Sequence, residues 1–174
     1  SPQVNAFALP GGTIVVYSGL ILEAETPAEA AAVIAHEMGH VIKRHGVKRL
    51  IQSLGVYIAV QILLGDAEGL ARTAAELITV AGINDYSRAQ ETEADRMSVE
   101  IMHNAGLDPL ALSSFFERLK ETQGDVPAYL GWLSTHPSHE DRVNYINRIT
   151  EKQGPADARP LSLDWKDLQN RLEN

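Results

Sequence analysis

Cysteine is absent from the 174 residues. Disulfides and thiolate metal centres are therefore excluded, and any metal must be held by histidine and carboxylate side chains. The absence also fits an exported protein. Basic charge is scarce: the net charge is −8, so the broad cationic face that phosphate backbones require is missing and a nucleic-acid partner is not expected. The short run Lys43, Arg44, His45, Lys48, Arg49 reads as a solvated helix end. No apolar stretch reaches the roughly 18–20 residues of a membrane-spanning helix. The longest, Leu54 to Leu64, is interrupted by Gln61. Core packing is the ordinary reading of that segment, and contact of its apolar face with a membrane surface is the alternative. The start, Ser1-Pro2-Gln3, has neither the charged nor the apolar part of a signal segment, so any such segment is expected to have been removed.

What remains is ordinary globular composition, 44% hydrophobic and 22% charged, without internal repeats. The length suits one domain over 1–174, with 1–3 and 154–174 peripheral, cut or processed from a longer chain. Two β-like runs, Ala6–Leu9 and Thr13–Tyr17, flank the turn signal Pro10-Gly11-Gly12. Thr26-Pro27-Ala28-Glu29 is a capping box with proline at the first helical position, opening a helix that the pattern carries to His45, with Gly46 as terminator. Further helices are expected over 47–64, 67–83, 87–104, 108–122, 138–152 and 163–172. The stretch Gln123 to Ser138, rich in Gly and Pro, reads as a long loop, and loops of that length often carry function.

Chemistry concentrates at His36-Glu37-Met38-Gly39-His40. Two histidines four apart on a helix project from one face, so both imidazoles can reach one ion. Zinc is the ion such a pair suits, with a third protein ligand and a water completing the site. Glu37 follows the first histidine and lies beside the metal, where it can take a proton from water and pass it to a leaving amine. The flanks Ala30 to Ala35 and Val41-Ile42 are apolar, which buries the helix. Gly39 removes a side chain and lets another segment approach closely.

The third ligand must come from elsewhere: Glu91, Glu93, Asp95, Glu76, His103, His136 and His139 are candidates. Glu91 and Asp95 are favoured, because residues four apart share a helix face. One carboxylate can then bind the metal while the other accepts a hydrogen bond from a ligand imidazole. Glu93 should face away from that pair.

The order and spacing of these pieces resemble the HtpX/BepA/Oma-type zinc metalloendopeptidases. The resemblance rests on Asn5-Ala6-Phe7-Ala8-Leu9-Pro10-Gly11-Gly12, the HExxH helix, Ser87-Arg88 with Glu91-x-x-Ala94-Asp95-Arg96, and Thr135-His136-Pro137 with Arg142. It covers about residues 4–150. It implies a gluzincin, with zinc on His36, His40 and Glu91, Glu37 as catalytic base, and Asp95 steadying a ligand, His36 in the first instance. It implies one Zn²⁺ per chain, polypeptide substrates such as misfolded or mislocalised envelope proteins, and the soluble, periplasmic branch of the family. It further implies that the loop before Pro137 sits over the metal, where His136 can take the open position as a fourth ligand and latch the enzyme shut. Arg142 then either steadies that loop or stabilises the oxyanion.

In such enzymes a substrate lies extended along an edge strand beside the active-site helix. Ala6–Leu9 or Thr13–Tyr17 can be that strand, plain core sheet being the other reading, and Asn5, Ala6 and Phe7 are the candidate substrate-binding residues. The expected fold is α+β and helix-dominated, with a small sheet packed on the HExxH helix. The expected activity is zinc-dependent endopeptidase. The competing reading is a metal-binding, chaperone-like module in which cleavage is rare.

Overall fold

Alternating side chains over residues 6–8 and 14–16, with a glycine turn between them, produce a short hairpin. In the computed structural model, which describes residues 1–64, 86–121, 132, 136, 140–154 and 156–173 (without the side chains of 57, 59–64 and 121), β1 (Ala6–Ala8) and β2 (Ile14–Val16) are antiparallel. Ala6 is opposite Val16, Phe7 opposite Val15 and Ala8 opposite Ile14. Gly11 and Gly12 have φ of 110° and 97°, which a Cβ disfavours, so the turn depends on glycine.

Seven helices follow among the described residues: α1 (Ser18–Glu23), α2 (Pro27–Ile42), α3 (His45–Leu64), α4 (Arg88–Asn104), α5 (Ala111–Glu121), α6 (Glu140–Gln153) and α7 (Trp165–Glu173). The fold is helix-dominated α+β, with the two-stranded sheet packed on α2. Helix α2 sits at the centre, against β1, α4 and α5. The core between them holds Leu20, Val33, Met102, Phe115, Phe116, Trp132 and Ile146. Full burial of each such side chain stabilises the fold by about 1.5–3 kcal/mol.

Local signals start the two helices that carry the site. Thr26 Oγ accepts from Glu29 N–H at 3.2 Å. The reciprocal half of that expected capping box is redirected: Glu29 Oε2 accepts from Glu25 N–H at 2.9 Å and from Arg118 at 2.7 Å. Ser87 and Gln90 make a complete capping box at the start of α4. At the far end of the chain, Gln169 donates to the carbonyls of Ile21, Leu22 and Ala24, tying α7 to the end of α1.

Three expectations need correction. The HExxH helix ends at Ile42, with Lys43 as C-cap, and not at His45. Arg44 takes a φ of 55°, the left-handed conformation usual after a helix, and His45 opens α3. The basic run is therefore not a solvated helix end throughout, since His45 is fully buried. Nor is α3 simply a core helix: Ile51 and Val56 are 63% and 68% exposed. The expected helix over 67–83 and nearly all of the expected loop over 123–138 lie outside the described residues. No helix among the described residues is long and apolar enough to cross a membrane.

Candidate metal centre

Helices α2 and α4 meet where their side chains are smallest. A Cβ added to Gly39 would lie 3.0 Å from the Cα and carbonyl oxygen of Ala94 and from Met97 Cβ. Ser98 Oγ donates to Ala32 O at 2.9 Å across the same interface. This close crossing sets His36 and His40 of α2 opposite Glu91 and Asp95 of α4. All four are buried, as are Glu37 and His136.

Four ligand-type side chains converge: His36, His40, Glu91 and His136. His36 Nε2 lies 3.0 Å from His40 Nε2 and 3.4 Å from His136 Nδ1. Glu91 Oε1 is 3.4 Å from His40 Nε2 and 3.0 Å from His136 Nδ1, and Glu91 Oε2 is 3.4 Å from His36 Nε2. Tetrahedral ligands at about 2.0–2.1 Å from an ion are themselves about 3.3 Å apart. The cluster thus has the dimensions of a tetrahedral site.

Charge points the same way. Around the cluster the described residues contribute the carboxylates of Glu37, Glu91 and Asp95 and the guanidinium of Arg142. With neutral imidazoles their formal sum is −2, which one divalent cation balances. Burial opposes a proton on His36, but hydrogen bonds to Asp95 and Glu91 prevail and raise its pKa to about 9. Burial, reinforced by the neighbouring histidines, pushes His40 down to about 3. Burial also opposes charge on Glu91, yet hydrogen bonds from His136, His36 and His40 hold its carboxyl well below the usual range. A field that draws a proton onto a buried imidazole also attracts a dication.

The surrounding groups orient the cluster. His36 Nδ1 faces Asp95 Oδ1 at 3.0 Å, so that once the ring is neutral its proton stays on Nδ1 and Nε2 has the lone pair. Arg142 grips Asp95 through Nε at 2.8 Å and through an η nitrogen at 2.6 Å, and reaches Glu91 Oε2 at 2.9 Å. Its guanidinium also lies 4.7 Å from the Phe116 ring centroid. Glu37 Oε1 accepts from Trp132 Nε1–H at 3.3 Å and lies 3.3 Å from His136 Nε2. Glu37 Oε2, buried, has no hydrogen-bond partner among the described residues. A cleft of about 590 Å³ adjoins the cluster, lined by Tyr86, Arg88, Glu91, Thr92, Arg142 and Tyr145.

Of the other candidate ligands, Glu93 turns to His45 and His103 is outside the cluster, whereas Glu76 and His139 lie outside the described residues. Ala6 is fully buried, and Asn5 O accepts from Tyr17 N–H at 3.0 Å. Phe7 meets Tyr17 edge-on at 5.9 Å. Because Asn5 and Leu9 bond toward β2, strand alternation turns the main-chain groups of Ala6 and Ala8 to the opposite edge. Val4 O, on that same edge, accepts from Trp132 N–H at 3.1 Å.

Three residues at the site escape sequence reasoning. Trp132 is fully buried, stacked on His136 and edge-on to His36. Its spacing of four from His136 is the one available signal. Tyr86 stacks on His40 with ring centroids 3.8 Å apart, and the Arg49 guanidinium lies 4.3 Å from its ring centroid. His45 touches His40, and burial lowers its pKa.

Residues 1–150 match the sequence profile of peptidase family M48. The chain belongs to that family. It is 31% identical over 145 residues to mitochondrial metalloendopeptidase OMA1 of Schizosaccharomyces pombe, covering 83% of this chain and 43% of that protein. It is 37% identical over 147 residues to mitochondrial metalloendopeptidase OMA1 of Arabidopsis thaliana, covering 83% of this chain and 29% of the relative. It is 33% identical over 163 residues to the beta-barrel assembly-enhancing protease of Yersinia pestis, covering 88% and 34%. This M48 chain thus spans between 29% and 43% of the length of these relatives.

Proposed function

We propose that this chain is the catalytic domain of a zinc-dependent endopeptidase that hydrolyses polypeptides. One observation carries the reading: His36, His40 and Glu91 converge at tetrahedral spacing with the buried carboxylate of Glu37 beside them. His36, His40 and Glu91 would hold the ion. When bound, zinc supplies Lewis acidity that acidifies water and polarises a carbonyl.

The remaining work falls to side chains. Glu37 takes the proton of the attacking water and returns it to the leaving amine. The Trp132 indole N–H, bonded to Glu37 Oε1, holds that carboxylate in place. Asp95 orients His36, and Arg142, tied to both Asp95 and Glu91, steadies the two acidic side chains. A substrate segment adds to the outer edge of β1, where, of Asn5, Ala6 and Phe7, Ala6 is the residue whose main-chain groups face outward.

His136 is proposed as a latch. Its Nδ1 lies where a fourth ligand belongs, and Trp132, from the same segment, occupies the β1 edge at Val4 O. Both positions must clear before water and substrate enter. The substrates proposed are misfolded or mislocalised envelope proteins and the proposed location is the periplasm, in keeping with the bacterial relatives' named role in beta-barrel assembly. The zinc-loaded Glu37→Gln variant tests the reading. Retained zinc with hydrolysis reduced by about 10²–10⁴-fold is expected. Undiminished function in that variant would instead favour the chaperone-like module.

A further inference from the structure

The structure contains a buried histidine that this chemistry does not use. His45, the first residue of α3, is fully buried, although Lys43, Arg44 and Lys48 around it belong to the surface. The left-handed turn at Arg44 swings it inward. There its Nδ1 lies 2.9 Å from His40 Nδ1, and its Nε2 lies 3.1 Å from Glu93 Oε2. The His40 and His45 rings are 5.0 Å apart between centroids and inclined at 70°.

We propose that Glu93 and His45 form a two-step hydrogen-bond relay that positions His40 as a metal ligand. This rests on the reading of His40 as a ligand, given above. The proton assignments follow from donor and acceptor chemistry. A carboxylate only accepts, so His45 Nε2 carries the proton that meets Glu93. Neutral His45 then presents a lone pair at Nδ1, and His40 Nδ1 must donate to it. That leaves His40 Nε2 with its lone pair aimed at His36 Nε2, Glu91 and His136. Each ligand imidazole thus has its own carboxylate. Asp95 serves His36 directly, and Glu93 serves His40 through His45. Both carboxylates come from α4, and Glu93, which helical spacing turns away from Glu91 and Asp95, still serves the same centre through His45. His45 and Glu93 are positioning residues, because neither reaches the space between the four ligand atoms.

The test is zinc affinity of the full chain, measured by chelator competition, alongside the melting temperature of the metal-free protein. Loss of zinc binding in His40→Ala establishes the ligand reading; unchanged binding there would defeat that reading itself. Given that loss, Glu93→Ala should weaken zinc binding severalfold while leaving the metal-free melting temperature unchanged, since Glu93 is half exposed. His45→Phe should weaken zinc by about 10–100-fold, the usual effect of losing an outer-shell partner. His45→Asn, whose amide oxygen can stand in for Nδ1, should recover part of that loss. In the His45→Asn background Glu93→Ala should have no further effect. An unchanged affinity for Glu93→Ala in the wild type overturns the relay, as does an equal loss in both backgrounds. Should His45→Phe fail to fold, the Glu93→Ala comparison between wild type and His45→Asn decides alone.

Discussion

Gly39 and Ala94 meet so closely that a Cβ on Gly39 would stand 3.0 Å from the Ala94 Cα. The contact is the hinge of the site, because His36 and His40 flank Gly39 on α2 while Glu91 and Asp95 flank Ala94 on α4. Any group added there pushes apart the side chains proposed to share one ion. Gly39→Ala should destabilise the metal-free protein by about 1–3 kcal/mol through overpacking, despite the better helix propensity of alanine. For a chain of this size that is a melting temperature lower by about 2–12 °C. Zinc affinity should fall with it, and Gly39→Val should be worse on both measures.

His136 and Glu91 both touch the cluster, but the roles proposed for them differ. Glu91→Ala should abolish stoichiometric zinc. His136→Ala should keep zinc and raise basal proteolysis. If the latch is closed about nine-tenths of the time, the rise is about tenfold. Metal content by elemental analysis and cleavage of an unfolded substrate read both effects. Equal or lower activity in His136→Ala counts against the latch.

Arg142 is the cation that Asp95 bonds twice, and both are buried. Arg142→Met leaves Asp95 without that partner and should cost about 3–5 kcal/mol. Arg142→Lys keeps the charge and loses the two-pronged grip, so it should fall between Arg142→Met and the wild type. Denaturant titration of the metal-free variants measures the order.

Chelated, metal-free protein should have a stability that falls as pH rises from neutrality through about 9. The pKa of His36 is raised from 6.5 to about 9, so the folded state holds a proton that the unfolded chain releases. That contribution is fully present below 6.5 and gone above 9. His40, lowered to about 3, acts oppositely: it removes stability as pH falls from 6.5 toward 3. The pH dependence of the denaturation midpoint checks both signs, and His36→Gln should flatten the alkaline limb. On the proposed ligand set zinc displaces the proton on His36, so its affinity should rise with pH over the same alkaline range.

Local rules made part of the centre legible. The spacing of His36 and His40, and of Glu91 and Asp95, follows from helical periodicity, and the cap at Thr26 starts the first of the two helices. Glu93 facing away from Glu91 and Asp95 also follows from that periodicity, but its partner does not. His45 sits in a basic run whose composition reads as surface, and only the Arg44 turn brings it inside. Glycine was the expected stop, yet the chain breaks two residues earlier. Trp132 and Tyr86 carry no motif at all.

By itself the sequence determined the elements and the pairs: a helix carrying two imidazoles on one face, a second carrying two carboxylates, and a glycine hairpin. Each depends on residues at most a few positions apart, where helix and turn geometry leave little freedom. The tertiary structure alone decided which distant groups join them. Arg142 reaching Asp95, Trp132 reaching Glu37, His136 reaching His36 and His45 reaching Glu93 are separations across packed surfaces. Those separations are set by how closely α2 and α4 cross at Gly39 and Ala94, and burial then makes each polar group find a partner.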